Sequence, residues 1–273
     1  MKFDICLEMV HTDLPYDRRI QEIKKAGFGC VEFWFHDSTF DGKGCTPDQP
    51  KDPQTLRQVC EQSGVTINNM VVNSPDGGLG GAVVDSKDLN KYLDRLHEVI
   101  EFSRAAGISK AITCTGNMPE GLSRAQMRAN AEKAYAEAAA IAERENYTLF
   151  VEVLNSLVDH PGYFLDNWKE GVEIVKAVNS PNLKLLYDVY HMQIMHGNVI
   201  ATIEADIDVI GHFHSAGVPG RHELTNGELD YKQIIQRIQA TGYTGAFGLE
   251  YMPLINDAES LASMAAYLAF AQG

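Results

Sequence analysis

Four stretches of this chain run apolar and then stop at an ionisable side chain. Phe150-Val-Glu-Val-Leu-Asn155 carries Glu152, and Lys184-Leu-Leu-Tyr-Asp188 carries Asp188. Gly211-His-Phe-His-Ser215 carries His212 and His214, and Gly248-Leu-Glu-Tyr-Met-Pro253 carries Glu250. A lone histidine in such a context is more often a hydrogen-bonded core residue than a ligand. Four consecutive ends of this kind are harder to explain that way. Glu152, Asp188, His214 and Glu250 together offer three carboxylates and one imidazole. Burying three carboxylates side by side is prohibitive unless something positive joins them. One divalent cation resolves the conflict. This donor set suits Mn²⁺, Mg²⁺ or Co²⁺, with waters completing an octahedron, better than it suits Zn²⁺.

Other residues could serve the same site. His191 follows Asp188 within one turn of chain, so a carboxylate and an imidazole leave that strand together. His212 and His214 share a strand face by period two, which allows one to be a ligand and the other its support. The first two strand-like segments end on Glu8 with His11, and on Glu32 with His36. Arg221 lies in the Gly/Pro-framed run Gly217-Val-Pro-Gly-Arg-His-Glu223. There it could grip a substrate carboxylate through two parallel hydrogen bonds, or simply pair with Glu223 or Glu228. Trp34 points away from Phe33 and Phe35, toward either a sugar-like ligand or ordinary packing. Gly77–Gly81 lacks the Lys-Ser/Thr that would follow in a phosphate-binding loop and reads as a flexible lid. No G-x-S-x-G and no Cys–His pairing supports nucleophilic catalysis.

The elements that must carry these residues alternate. Strands are expected at Phe3–Met9, Gly29–Phe35, Val65–Val72, Lys110–Cys114, Thr148–Leu154, Leu183–Asp188, Ile207–His214 and Gly245–Glu250. Helices are expected at Tyr16–Ala26, Pro53–Ser63, Ser86–Ala106, Arg124–Asn146, Trp168–Val178, Val199–Ala205, Tyr231–Thr241 and Asp257–Ala271, with a loop over His36–Asp52. Eight strands alternating with eight helices predict an α/β protein, a single parallel (β/α)8 TIM barrel spanning residues 1–273. A doubly wound open sheet is the runner-up, but strand one runs into Glu8-Met-Val-His-Thr-Asp-Leu-Pro15 rather than a Gly-rich phosphate turn. In a barrel the C-terminal strand ends converge on one face, which is where chemistry is placed.

Bulk properties narrow the partners. The 273 residues are 45% hydrophobic and 22% charged, with a net charge of −14 and no basic block. That argues against a nucleic-acid or anionic-membrane partner, because phosphate binding needs clustered Lys and Arg. No apolar run of about 18 residues predicts a membrane span. Five cysteines without a C-x-x-C, and no signal-peptide pattern at the start, read as a cytoplasmic protein.

The runs Val151-Glu-Val-Leu-Asn155, Pro161-Gly-Tyr-Phe164, Asn182-Leu-Lys-Leu-Leu-Tyr-Asp-Val-Tyr-His-Met-Gln193, Ile210-Gly-His-Phe-His214, Pro219-Gly-Arg-His-Glu223, Gly227-Glu-Leu-Asp-Tyr231 and Gly248-Leu-Glu-Tyr-Met-Pro253 resemble the hydroxypyruvate isomerase family, within the xylose isomerase-like barrels. The resemblance covers essentially the whole chain and is most specific from Glu152 onward. It implies that Glu152 and Glu250 donate and accept the proton. It makes Asp188 a metal ligand, His191 a nearby substrate- or metal-shell residue, and Arg221 the substrate's anchor. Typical hydroxypyruvate isomerases resemble a version with Gln where this chain has His214. His at that position resembles the ketose 3-epimerases, in which it completes a Glu-Asp-His-Glu quartet.

The expected chemistry is proton transfer beside a carbonyl. A cation chelates a small α-hydroxy carbonyl substrate and stabilises the enediolate, and two glutamates move the proton. Hydroxypyruvate giving tartronate semialdehyde is the leading case. A ketose 3-epimerase is the alternative, followed by an inosose dehydratase-like enzyme or a sugar-binding barrel without turnover. Glu8 and Trp34 are further substrate-side candidates. A DNA-repair endonuclease on the same barrel is disfavoured by the charge and by too few histidines for a trinuclear zinc site. Relatives of this kind associate near the strand ends, so a homodimer or homotetramer is expected.

Overall fold

Alternation along each strand decides which side chains face the barrel axis. A computed structural model describes residues 1–41 and 44–272. Its strands are β1 Lys2–Cys6, β2 Cys30–Phe33, β3 Thr66–Val71, β4 Lys110–Thr113, β5 Thr148–Glu152, β6 Leu183–Asp188, β7 Ile210–Ser215 and β8 Ala246–Leu249. All eight pair in parallel, each with the next and β8 with β1, so the sheet closes on itself. The helices are α1 Tyr16–Lys25, α2 Pro53–Ser63, α3 Leu89–Ala106, α4 Arg124–Glu145, α5 Trp168–Val178, α6 Val189–Met195, α7 Val199–Asp206, α8 Tyr231–Ala240 and α9 Asp257–Gln272. The expected (β/α)8 barrel is the fold.

Two apolar cores follow from the alternation. Leu149, Val151, Leu185, Tyr187, Phe213 and Phe247 join the large core shared with the helices. Their neighbours Phe150 and Leu186 fall instead in a small cluster with Phe35, Val71 and Ile112. Glu152 lies two residues beyond Phe150, and Asp188 two beyond Leu186, so both carboxylates share that second face. Helix ends are fixed locally. Ser123 and Gln126 form a reciprocal capping box at the start of α4. Asp52 caps α2, and Gly64 closes it in the left-handed conformation.

The chain departs from its sequence reading in a few places. Ile207–Val209 is a 3-10 turn, and the seventh strand starts at Ile210. The stretch after Asp188 forms α6, with Asp188 accepting the His191 N–H at 3.1 Å as its cap. Seven residues are too few to show helical periodicity. The expected loop over His36–Asp52 contains a two-stranded hairpin, Thr39–Phe40 with Cys45–Thr46; Gly42 and Lys43 lie outside the described residues. The Gly77–Gly81 run, expected as a lid, is packed down: at Gly80 a Cβ would meet Asn73 Cβ at 2.8 Å and Arg95 Cγ at 2.9 Å.

The segment after β2 is anchored by one lysine. Lys51 is buried, with Nζ 3.0 Å from Glu8 Oε1 and donating to Phe35 O at 2.7 Å and Ser38 O at 2.8 Å. Glu8 Oε2 accepts the Trp34 backbone N–H at 3.0 Å. Breaking a buried ion pair from one side leaves an uncompensated charge. Lys51→Met is therefore expected to cost about 3–5 kcal/mol in a urea titration. Combining it with Glu8→Gln should restore part of that loss, because the stranded carboxylate is gone. Equal midpoints for Lys51→Met and the parent would contradict this account.

Candidate active site

Registration across the strands brings the four predicted donors together. Asp188 pairs with His214 across β6 and β7, His214 with Gly248 across β7 and β8, and Glu152 with Leu186 across β5 and β6. One donor atom from each of Glu152, Asp188, His214 and Glu250 falls within 4.8 Å of the others, and all four residues are buried. His214 Nδ1 lies 3.3 Å from Glu152 Oε1 and 3.4 Å from Glu250 Oε2.

Each outer group has a holder. Trp34 Nε1 donates to Glu250 Oε1 at 2.8 Å, and Arg221 Nη2 donates to Glu250 Oε2. Asp188 Oδ1 accepts the His191 backbone N–H, while Asp188 Oδ2 lies 3.5 Å from His191 Nε2, a nitrogen buried without a hydrogen-bond partner. The proton on that ring can be assigned from its neighbours. Asn155 Oδ1 accepts from the Val158 and Asp159 N–H groups at 3.0 and 2.9 Å, which leaves its Nδ2 to donate to His191 Nδ1 at 2.6 Å. A neutral His191 therefore carries its proton on Nε2, on the side of Asp188. Burial, with Arg221 nearby, holds His191 well below the usual histidine range, consistent with a neutral ring. Arg221 is held at φ +60°, a left-handed conformation that costs a non-glycine residue of order 1 kcal/mol. Its carbonyl accepts from Met252 N at 2.6 Å and its N–H donates to Gly217 O at 2.9 Å, which fixes the turn.

The charges are uneven. Burial raises the Glu152 carboxyl, and burial pushes Asp188 up to about 7. Burial would raise Glu250 too, but Arg221 and His214 hold it below the usual carboxylate range. Burial would lower His214, yet Glu32 and Glu250 lift it well above its ordinary value. These opposed shifts describe carboxylates competing for too little positive charge. Glu152 Oε1 and His214 Nδ1, both turned into the quartet, are buried without a hydrogen-bond partner. Orphaned donors of this chemistry at this spacing fit a divalent cation.

A cavity of about 520 Å³ opens beside the quartet, lined by Trp34, Glu152, His214, Arg221 and Glu250 and also by Asn117 and His160. Arg221 is the only Lys or Arg lining it among the described residues. Asp188, His191 and Glu8 are buried and do not line it. Of the substrate-side candidates, Arg221 and Trp34 thus face the cavity, while Glu8 is engaged with Lys51 and the Trp34 backbone. His212 lies on the same strand face as His214, with ring centroids 5.0 Å apart, but outside the quartet. Asn155, Lys51 and the contact of Glu32 with His214 were not assigned from sequence. Period two on β2 was the available signal for Glu32.

A family model described as a xylose isomerase-like TIM barrel matches residues 20–268. The chain is 36% identical over 270 residues to a 2-oxo-tetronate isomerase of Cupriavidus necator, covering 98% of each chain. It is 28% identical over 255 residues to the hydroxypyruvate isomerase of Escherichia coli, covering 93% of this chain and 94% of that one. Among solved structures, a protein from Brucella melitensis titled AP endonuclease, family 2, superposes with a TM-score of 0.86 at 29% identity, covering 97% and 98% of the two chains.

Cation binding to the quartet should stabilise the fold by mass action. Mn²⁺ at a hundred times its Kd is expected to add about 2.7 kcal/mol, seen as a higher melting temperature that a chelator reverses. Asp188→Ala and His214→Ala should each abolish the response. No rise with Mn²⁺, Mg²⁺ or Co²⁺ would count against the cation.

Proposed function

The chain belongs to the xylose isomerase-like TIM barrel family and is an isomerase, and from that premise we propose that it interconverts a short 3-hydroxy-2-oxo acid and its 2-hydroxy-3-oxo isomer. Hydroxypyruvate giving tartronate semialdehyde is the three-carbon case. The relative named for 2-oxo-tetronate supports a four-carbon case on the same site. The observation that carries this reading is Arg221. It is the sole Lys or Arg among the described residues lining the cavity, it reaches Glu250, and its Nε is buried without a partner. A substrate carboxylate on Arg221 would bring the adjacent carbonyl to the quartet.

A divalent cation held by Glu152, Asp188, His214 and Glu250 would supply Lewis acidity to the substrate's carbonyl and neighbouring hydroxyl. The proton work belongs to the chain. Glu152, whose carboxyl is raised by burial, takes the proton from C3 and returns it to C2; Glu250, fixed by Trp34 and Arg221, works from the opposite side of the substrate. One proton leaves carbon and one arrives, while the hydroxyl proton passes from the C3 oxygen to the C2 oxygen. No atom is gained or lost. His191 holds Asp188 in place.

A second reading has its own support. His214 completes a Glu-Asp-His-Glu quartet, and about 520 Å³ admits a whole ketose, so 3-epimerisation could use the same two carboxylates. Nucleic-acid cleavage, for which the Brucella protein is named, is disfavoured by the net charge of −14 and by Arg221 being the only Lys or Arg among the described residues lining the cavity. The exposed large hydrophobic side chains among the described residues are Met118, Leu157, Val158, Met252, Leu254 and Ile255. All follow the C-terminal ends of β4, β5 or β8, which supports a homodimer or homotetramer formed on that face.

The cation-loaded protein in D₂O should incorporate deuterium on carbon while converting the 2-oxo acid, followed by NMR. Glu152→Gln and Glu250→Gln should each lower kcat roughly 10²- to 10⁴-fold. Arg221→Met should raise KM for the acid about ten- to a hundredfold. Turnover of neutral ketoses alone, with inversion at the third carbon, would replace this reading by the epimerase one. Size-exclusion chromatography with light scattering should give a dimer or tetramer that Leu157→Asp with Leu254→Asp shifts toward monomer. A parent monomer would refute the association.

A further inference from the structure

Beneath the quartet lies a polar layer that the proton chemistry does not use. β2 turns Glu32 inward, where it is buried with Asn69 and His212. Its two oxygens have different surroundings. Oε2 accepts from Asn69 Nδ2 at 2.7 Å and lies 3.0 Å from His212 Nε2. Oε1 lies 3.0 Å from His214 Nε2, and both atoms are buried with no hydrogen bond yet formed between them. The other nitrogen of that ring, Nδ1, is the one turned toward Glu152 and Glu250. His214 thus spans two environments: Glu32, itself beside the buried Asp4, on one side and the quartet on the other.

A ring nitrogen that ligates a cation must offer a lone pair, so a neutral imidazole ligating through Nδ1 keeps its one proton on Nε2. Glu32 is where that proton points. We propose that Glu32 is a positioning residue: it accepts the Nε2–H of His214, fixes the ring's tautomer and rotation, and turns the Nδ1 lone pair into the quartet, thereby setting the site's affinity for a divalent cation. This rests on the quartet being a cation site, as proposed above. Asn69 and His212 hold the second oxygen of Glu32, so the carboxylate cannot swing away from His214.

Gly248 is a second, independent observation. A Cβ there would lie 2.7 Å from His214 Cδ2, 2.8 Å from Glu32 Oε1 and 3.0 Å from Phe213 O. The missing side chain is what lets carboxylate and ring approach across β8. Since Glu32, His212 and His214 also lie close enough to share an ion, a second cation in this layer is the competing explanation. It would need the Nε2 lone pair, which a proton donated to Glu32 would occupy.

The test measures binding rather than turnover. Calorimetric titration with Mn²⁺ should give one cation per parent chain. Glu32→Gln, which removes the charge, and Gly248→Ala, which keeps the charge but forces the pair apart, should each bind about 10- to 100-fold more weakly. NMR of ¹⁵N-histidine protein loaded with Mg²⁺ should show His214 protonated at Nε2 and not at Nδ1. A merely structural role for Glu32 would lower the melting temperature of the metal-free protein and leave affinity and ring protonation unchanged. Parent-like affinity in both variants, or two cations per chain, would overturn this inference and leave the isomerase reading standing. A parent that binds no divalent cation would overturn the cation reading, and this inference with it.

Discussion

The arrangement depends on one electrostatic constraint: Glu152, Asp188 and Glu250 are buried side by side at the end of a closed barrel. Like charges at this spacing in a low-dielectric interior repel by several kcal/mol, so each must find an opposite charge, a strong donor, or a proton. The partners come from around the barrel. Trp34 beyond β2 and Arg221 beyond β7 take Glu250; the backbone N–H of His191 on α6 takes Asp188; His214 reaches Glu152. Removing one holder would leave a buried carboxylate exposed to its neighbours' charge. The result is that the side chains are set in place by the rest of the fold before any ligand arrives.

Satisfying these groups explains otherwise separate features. Asp188 ends a strand, caps α6 and faces the quartet, so one side chain links β6, α6 and the site. Asn155 spends its carbonyl oxygen on the next turn's backbone, which obliges its amide to face His191. Lys51 ties the segment after β2 to Glu8, and Glu8 accepts the backbone N–H of Trp34, whose indole holds Glu250. That chain of contacts connects a loop lysine to a carboxylate of the site through only two intermediates.

Much of this was legible in the sequence, for definable reasons. Eight apolar runs alternating with helical spacing, without a Gly-rich phosphate turn after the first, point to a barrel, and a barrel requires that strand ends meet. Glu152, Asp188, His214 and Glu250 could be grouped because each follows its apolar run directly. His212 and His214 could be placed on one face from period two alone. Less accessible was what depends on approach across the barrel. Glu32 on β2 meets His214 on β7 only because Gly248 carries no Cβ, and no local pattern encodes that gap. The engagement of Glu8 by Lys51 joins residues 43 positions apart along the chain and hides a strand-end carboxylate that otherwise looks available. The Gly77–Gly81 run suggested mobility by composition, whereas its glycines accommodate close packing against Asn73 and Arg95.

The distinction between moving a carbonyl and inverting a centre does not lie in the quartet. Both reactions remove a proton from a carbon next to a carbonyl, and both use two carboxylates on opposite sides of the substrate. The difference is where the proton returns, and that follows from how the rest of the substrate is held. Under the proposed reading, a carboxylate on Arg221 would fix one end of a short acid and turn C2 and C3 toward Glu152 and Glu250. A ketose has no such handle; its longer hydroxylated chain would have to be oriented by neutral groups along the cavity, where Asn117 and His160 lie. A half-buried guanidinium whose Nε is buried without a partner is a poor match for a chain of hydroxyls and a good match for a carboxylate. The anchor, more than the catalytic pair, therefore favours the acid.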